Sequence, residues 1–222
     1  KTSSMRSKEN GKKPRVLLGA SHSVIENLGL IYIIGVARDE GWERGVSLVR
    51  NHDFEPFFQR VKEFNPDIVG FNIYTGCHLQ LFEAFDRIRK DHPNIRLVIG
   101  GPHATYFPGD AIGHADNVVM SEGFNSFRRI LRNEVSQGIM EFNRENMESF
   151  PHPDRETFYR DSPEHAKSTI KSIIGETGCP YKCTYCYNSS KREDIHIPLE
   201  KRISLKVMSG NGSCDTKETH ES

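Results

Sequence analysis

The sequence predicts an α/β fold in which a parallel five-stranded sheet is covered by helices on both faces. Short runs rich in Val, Ile and Leu alternate with helix-length segments along residues 15–135, as in successive strand–helix–strand units. The strand runs are almost continuously apolar, which is expected of parallel strands buried on both faces. Right-handed crossovers between such strands produce a doubly wound domain.

The individual elements follow in chain order. The predicted strands are RVLLG (15–19), GVSLVR (45–50), DIVGFNIY (67–74), IRLVIGG (95–101) and NVVM (117–120). The predicted helices are residues 28–41, 54–64, 79–91 and 124–135. In the third helix Leu81, Phe82, Phe85 and Ile88 recur at helical spacing, and this apolar stripe is expected to face the sheet.

The loops that follow four of these strands consist largely of small residues. They read GASHS after the first strand, YTGC after the third, GGPHAT after the fourth and SEGF after the fifth. Ligands of parallel α/β sheets bind beyond the carboxyl ends of the strands, and glycine allows a close approach of the backbone. The loops therefore predict a site for a large, flat or phosphate-bearing cofactor along this edge.

Composition excludes several classes of function. The 222 residues carry 30 basic and 30 acidic side chains, so no global field favours nucleic acid or an anionic membrane as a partner. No apolar run approaches the ~20 residues that span a bilayer, and the polar first residues lack the apolar region of a secretion signal. A cytoplasmic location is expected.

The regions outside the predicted sheet differ in composition. Residues 1–14 and 191–222 are polar and Gly- or Ser-containing, and both are predicted to be disordered. Residues 136–168 contain prolines and many charges, as in an extended linker. A further strand is predicted at STIKSIIG (168–175), so that residues 169–190 begin a second domain.

Three of the five cysteines, Cys179, Cys183 and Cys186, form a C-x3-C-x2-C loop. Clustered thiolates select zinc, copper(I) or iron–sulfur clusters, and three ligands leave one metal position open. Cys214 as a fourth ligand of a structural zinc site remains an alternative. Unligated core cysteines are a further alternative, disfavoured by the lysines around the loop.

The cysteine spacing, with Tyr185 before the last cysteine, resembles the signature loop of the radical S-adenosylmethionine superfamily. The resemblance implies that Cys179, Cys183 and Cys186 hold a 4Fe–4S cluster whose open iron is chelated by S-adenosylmethionine. Reductive cleavage then releases a 5′-deoxyadenosyl radical, and Tyr185 contacts the adenine. The expected setting is the start of a (β/α) barrel with its chemistry at the carboxyl ends of the strands.

The segments LGLIYIIGVARDEGWE, PDIVGFN, VIGGPHATYFP and the Ser-Glu-Gly of MSEGF resemble the cobalamin-binding, Rossmann/flavodoxin-like domain that precedes many such enzymes. The residues expected by resemblance to line the corrin and its nucleotide tail are Thr75, Gly100, Gly101, Pro102, His103, Ala104, Glu122 and Gly123. His22 lacks the preceding Asp of the Asp-x-His-x-x-Gly motif that ligates cobalt, so it is not expected to be the axial ligand. His103 is expected to contact the cofactor rather than to act as an acid or base.

These resemblances imply the N-terminal part of a cobalamin-dependent radical enzyme that transfers methyl groups. A small-molecule or natural-product substrate and an external electron donor are the implied partners. Residues 176–222 are too few for a barrel of ~200 residues or more, so truncation, a lost reading frame after about Ser190 or completion by another chain is expected. A non-catalytic cobalamin carrier module and a structural zinc protein remain alternatives.

Overall fold

The computed structural model describes residues 13–140, 149–175 and 183–186. The strands in these ranges are β1 (Arg15–Ser21), β2 (Glu43–Val49), β3 (Ile68–Asn72), β4 (Arg96–Gly100), β5 (Asn117–Val118) and β6 (Gly138–Ile139). The helices are α1 (Leu28–Asp39), α2 (Glu55–Phe64), α3 (His78–Asp91), α4 (Pro102–Tyr106), α5 (Pro108–Ala111), α6 (Phe124–Leu131), α7 (Arg155–Asp161) and α8 (Pro163–Lys167).

These strands form one parallel sheet in the order β2-β1-β3-β4-β5-β6. This is the flavodoxin-like order with one strand added at the β5 edge, and the direction of winding reverses between β1 and β3. Ala20 lies opposite Asn72 at this switch point. The predicted doubly wound parallel fold is confirmed, with six strands instead of the predicted five in the described part of the chain.

Two apolar layers cover the sheet. Ile31 and Ile34 of α1, Ile130 of α6 and Phe158 of α7 pack on one face. Helices α2 and α3 with the short helices α4 and α5 pack on the other, where Phe85 is fully buried. Burying a side chain of this size stabilises the fold by about 1.5–3 kcal/mol. The two layers hold the strand ends, and therefore the loops beyond them, at fixed positions.

The segment predicted as an extended linker contains helices that pack on the domain. Asp154 begins α7, where its carboxylate accepts hydrogen bonds from the Thr157 amide (3.0 Å) and from Arg44 Nε on β2 (2.6 Å). The carbonyl of His152 lies so close to α1 that a Cβ on Gly35 would stand 2.2 Å from it. Local helix-start signals and long-range packing thus outweigh the proline-rich composition that predicted a linker.

The strand predicted at 168–175 is wrong, because these residues form no strand in the structure. The Ser172 amide donates instead to the Glu26 carboxylate (3.0 Å), and Lys171 Nζ donates to the His165 carbonyl at the end of α8 (2.6 Å). The Ser172 amide is therefore bonded to a side chain and not to the backbone of a neighbouring strand. The apolar pattern of Ile170, Ile173 and Ile174 was therefore insufficient to specify a strand.

The chain divides into two units with a boundary between Ser172 and Ile173. The predictions for residues 1–12 and 187–222, including Cys214, lie outside the described residues, as does Cys179. Within the described ranges, none of the helices combines the length and the apolar character needed to traverse a bilayer.

Candidate functional site

The switch point between β1 and β3 carries two linked asparagines. Asn27 caps α1 by accepting a hydrogen bond from the Leu30 amide (3.0 Å), and its Oδ1 also accepts one from Asn72 Nδ2 (3.2 Å). Asn72 Oδ1 is buried and has no hydrogen-bond partner among the residues that the structure describes. The sequence analysis did not predict a role for either residue, although a polar Asn at the end of an apolar strand, such as Asn72, can indicate a ligand site.

Gly101, directly after β4, lets two loops approach each other closely. A Cβ at this position would lie 2.2 Å from Asn72 Oδ1 and 2.8 Å from both the nitrogen and the oxygen of Ile73. Its φ of +99° also falls in the region that L side chains rarely adopt. The predicted Gly101 is therefore required by geometry as well as by the resemblance, and Gly100 immediately precedes it as the last residue of β4.

His103 joins the loops after β3 and β4. Its Nδ1 hydrogen-bonds with the hydroxyl of Thr75 (3.0 Å), and its ring stacks on that of His78 with centroids 4.2 Å apart. The side chain is 2% exposed, and Nε2 stands 3.8 Å from Asp110 Oδ2. Burial, and secondarily the neighbouring His78, lowers the pKa of His103, while Asp110 partly opposes the shift. A neutral imidazole is the form that this site favours.

The loop after β5 is tied to the loop after β4 through Thr105. The Thr105 hydroxyl donates to the Gly101 carbonyl (2.9 Å) and accepts from the Ser121 amide (3.1 Å). The Ser121 hydroxyl donates to the carboxylate of Glu122. Gly123 caps α6 with a φ of +74°, and a Cβ there would stand 2.6 Å from Val119 Cγ1.

The structure thus brings most of the predicted cofactor residues to one edge. Thr75, Gly100, Gly101, Pro102, His103, Glu122 and Gly123 all follow the carboxyl ends of β3, β4 and β5. Ala104 differs, because it is fully buried in the core against α3 and the sheet. Its side chain supports the edge from below and does not line the surface.

Large apolar side chains surround this edge. Val24 and Ile25 after β1 are 79% and 59% exposed, and Leu79 at the start of α3 is 62% exposed. Tyr74 and Phe107 are also exposed, at 46% and 50%. Five exposed large apolar groups in loops at one edge favour an apolar ligand or a covering domain there.

The loop after β1 faces α8. His22 Nε2 lies 3.5 Å from Glu164 Oε1, and the His22 ring is 5.4 Å from that of His165. Burial, followed by the nearby Arg50 and His165, lowers the pKa of His22 against the opposing effect of Glu164. Sequence reasoning did not identify Glu164 and His165, since nothing local relates them to His22.

Glu26 ties the same loop to α7 and to the segment after α8. The Tyr159 hydroxyl and the Ser172 amide donate to its carboxylate, whose side chain is 1% exposed. Burial alone would raise the pKa of Glu26. The two hydrogen bonds and the nearby positive charges of Arg155 and Lys171 outweigh burial and lower it.

The described part of the cysteine loop is a turn. The Cys186 amide donates to the Cys183 carbonyl (3.2 Å), and both cysteines are half-buried and free. Tyr185 between them is 91% exposed. Cys183 and Cys186 begin and end this turn, at the C-x2-C spacing found in many metal sites.

Two methyltransferases are among the known proteins that are similar in sequence to this chain. An uncharacterized methyltransferase of Pyrococcus horikoshii is 23% identical over 189 residues, covering 73% of this chain and 40% of that protein. The bacteriochlorophyllide d C-8(2)-methyltransferase of Chlorobaculum tepidum is 27% identical over 129 residues, covering 54% of this chain and 28% of that protein. The chain therefore spans less than half the length of each of these methyltransferases.

Two solved structures are similar to part of the chain. A cobalamin-binding protein from Desulfitobacterium hafniense aligns with a TM-score of 0.46 and 20% identity over 55% of this chain and 59% of that one. The receiver domain of RcsB from Salmonella enterica aligns with a TM-score of 0.43 and 11% identity over 59% of this chain and 95% of that one.

The family comparison covers the whole sheet up to β5 together with the loops of the candidate site. The B12 binding domain family matches residues 14–131, which is more than half of the chain. The match begins just before β1 and ends with α6. The chain belongs to the B12 binding domain family.

Proposed function

We propose that this chain binds cobalamin at the carboxyl edge of its sheet and forms part of a radical S-adenosylmethionine methyltransferase. Membership of the B12 binding domain family supports the first half of the proposal. The similarity to two methyltransferases supports methyl transfer. The cysteine triad, of which Cys183 and Cys186 form the described turn, supports a 4Fe–4S cluster that binds S-adenosylmethionine.

The observation that carries the proposal is a set of buried polar atoms at one edge. Among the described residues, Asn72 Oδ1 and His103 Nε2 are buried at this edge without a hydrogen-bond partner. His22 Nε2, which faces Glu164 on α8, and Arg15 Nε, at the amino end of β1, are also buried without a partner but do not belong to this set. Asn72 ends β3 and His103 follows β4, and these two strands are neighbours in the sheet. Native proteins rarely leave such atoms unpaired, and exceptions mark sites that bind a ligand or an ordered water.

The shape and polarity of the edge fit a corrinoid. Gly101 lets the loop after β4 pack against Asn72 and Ile73 with no side chain between them, so the polar atoms of Asn72 and His103 lie in adjoining loops. Thr75 orients His103 through its ring Nδ1. The exposed side chains of Val24, Leu79 and Phe107 offer apolar area around the polar centre, the combination found in cofactor sites.

Each residue then has a definite task. Asn72 and His103 present polar atoms toward the ligand, Gly101 lets the loops that carry them pack closely, and the apolar side chains exclude water. Cys179, Cys183 and Cys186 supply thiolates that leave one iron position open. The chemistry supplied by the bound groups is methyl carriage by cobalamin and reductive cleavage of S-adenosylmethionine by the cluster.

A blocking substitution tests the cobalamin site. Gly29, at the start of α1, is exposed, and a Cβ there would lie in ordinary contact with Asn72 Nδ2 at 3.7 Å. Gly29→Trp therefore places an indole at the switch point. Gly113→Trp is the matched control, since a Cβ at Gly113 meets nothing within 4 Å and the residue precedes β5 at the opposite edge.

The measurement is a spectrophotometric titration of the chain with hydroxocobalamin. Binding by the parent and by Gly113→Trp, with at least a tenfold loss in Gly29→Trp, is the expected result. Equal affinity in all three proteins would contradict the site. Absence of binding by the parent would contradict the cobalamin proposal itself.

Anaerobic reconstitution with iron and sulfide tests the cluster. The parent is expected to develop the visible thiolate-to-iron absorption, and Cys183→Ala together with Cys186→Ala should abolish it. Retention of that absorption in the double variant would refute cluster ligation by the triad. Cobalamin binding with no cluster would indicate a carrier module instead of a radical enzyme.

A further inference from the structure

Three potential metal ligands converge between the loop after β1 and α8. His22 Nε2 lies 3.5 Å from Glu164 Oε1, and His165 Nδ1 lies 3.7 Å from the same oxygen. One ligand atom from each residue can be chosen so that all three lie within 4.8 Å of one another. Ligand atoms around tetrahedral zinc, with bonds of about 2.0–2.1 Å, stand roughly 3.4 Å apart, so two of the separations already match.

His165 is oriented as a metal-binding histidine usually is. Its Nε2–H donates to the carbonyl of Ser23 (2.8 Å), which directs Nδ1 toward Glu164. Metal-ligating histidines commonly donate their second ring N–H to a backbone carbonyl in this way. The side chain of His165 is 3% exposed, so packing fixes the direction in which Nδ1 points.

The hydrogen-bond acceptors of this cluster outnumber the protons that the neighbouring Ser162 can donate. The Ser162 hydroxyl lies 2.6 Å from His165 Nδ1 and 2.9 Å from Glu164 Oε1. A hydroxyl has one proton, so it cannot serve both acceptors when His165 is neutral. His22 Nε2 is buried and lacks a hydrogen-bond partner in the part of the chain that the structure describes.

One positive group competes for this position. Arg50 donates to Glu164 Oε1, and its side chain is 54% exposed. An exposed arginine can rotate into solvent with little loss of packing, and surface ion pairs contribute only about 0–1 kcal/mol. Arg50 therefore neutralises Glu164 without blocking a divalent ion that offers three ligand bonds.

We propose that His22, Glu164 and His165 bind a divalent transition metal, with zinc as the reference ion. Two imidazoles and one carboxylate form a donor set that suits zinc and leave a fourth position for water. The ion would join the loop after β1 to α8. None of these three residues belongs to the cysteine triad or to the glycine-rich loops after β4 and β5.

The test uses the full chain without an affinity tag, with all five cysteines replaced by Ser so that thiolates cannot bind the ion. Cobalt(II) serves as the spectroscopic probe, because its visible absorption reports a low-coordinate nitrogen and oxygen site. Zinc affinity is measured by competition with a chromophoric chelator. His22→Ala and Glu164→Gln remove ligands, and Arg50→Met removes the competing cation.

The matched control is His114→Ala, which removes another imidazole beside a carboxylate, that of Asp86 at 3.0 Å. We expect one cobalt or zinc per chain, at least a tenfold loss of affinity in His22→Ala and Glu164→Gln, and tighter binding in Arg50→Met. Thermal unfolding without metal establishes that each variant is folded, and zinc should raise the midpoint only where the site is intact. Affinity unchanged by the His22 and Glu164 substitutions, or no binding by the parent, would overturn the proposal.

Discussion

Replacing Gly101 by alanine perturbs the closest approach within the candidate site. The new Cβ would stand 2.2 Å from Asn72 Oδ1 and 2.8 Å from two backbone atoms of Ile73. The backbone of Ile73 cannot retreat easily, because its amide donates to the Gly100 carbonyl (2.9 Å) and its carbonyl accepts from the His103 amide (3.2 Å). The substitution must therefore displace either β3 or the loop after β4.

Two contributions determine how much free energy of unfolding the Gly101→Ala substitution removes. A non-glycine residue at positive φ costs about 1–2 kcal/mol, and overpacking against backbone costs about 1–3 kcal/mol. The expected loss in the free energy of unfolding is about 2–5 kcal/mol. For a chain of this size each kcal/mol lowers the melting temperature by about 2–4 °C.

Urea denaturation followed by circular dichroism measures this loss. Gly113→Ala is the control, since its Cβ meets nothing within 4 Å and should change stability by less than about 0.5 kcal/mol. A Gly101→Ala protein as stable as the Gly113→Ala protein would refute the close approach of the two loops. A destabilised protein that also loses cobalamin binding would be consistent with both the packing and the site.

Two further predictions concern titrating groups. Asp154→Ala removes the cap of α7 and leaves Arg44 without its partner, so urea denaturation should show a loss of about 1–3 kcal/mol; an unchanged midpoint would contradict the docking of α7. Burial would raise the pKa of Asp154, but hydrogen bonds from Thr157 and Arg44 outweigh it and lower the pKa. The stability from Asp154 should therefore be present above its unfolded pKa of about 3.9 and be lost as the pH falls through the lower folded value. The pKa of His103 is lowered by burial and, to a smaller extent, by His78, so an NMR titration should give a pKa below the unfolded value of about 6.5. The contribution of His103 to stability should be present above the unfolded pKa and be lost as the pH falls through the folded pKa. A midpoint at or above about 6.5 would contradict its buried, stacked position.

Much of the fold could be predicted from local pattern. Each of the strands β1 to β5 coincides with an apolar run in the sequence. The centre of each predicted strand lies close to the centre of the observed strand. The order of the strands in the sheet could not be predicted from local pattern, because strand pairing depends on crossover connections that no single segment encodes. The two-residue strand β6 at Gly138–Ile139 was missed, since it exists only through hydrogen bonds to Asp116 and Val118.

The errors after residue 136 have a common physical origin. Asp154 before α7 and the Ser162-Pro163 pair before α8 are recognisable helix starts, but prolines and charges suggested a linker. Glu26 and the Ser172 amide are 146 residues apart in sequence, so their contact cannot be predicted from local sequence. Contacts of this kind place residues 149–172 against the sheet.

The candidate site was predictable only in part. The glycines after β4 and β5 were identified from composition and resemblance, because a glycine in a loop itself indicates that the backbone approaches another group closely. Asn27 and Asn72 were missed, since their pairing requires the fold. Glu164 and His165 were missed for the same reason. The burial of Ala104 depends on how the short helix α4 packs on the domain, which local sequence does not specify.

The central claim is that cobalamin binds along the carboxyl edge of this sheet. An amide-resolved NMR titration of the chain with hydroxocobalamin tests it directly. Binding at this edge predicts the largest shifts at Asn72, Gly76, Gly101, Thr105 and Ser121, and small shifts at Gly41 and Gly113 on the opposite edge. Shifts concentrated on the opposite edge, or the absence of any shift at saturating cobalamin, would contradict the claim.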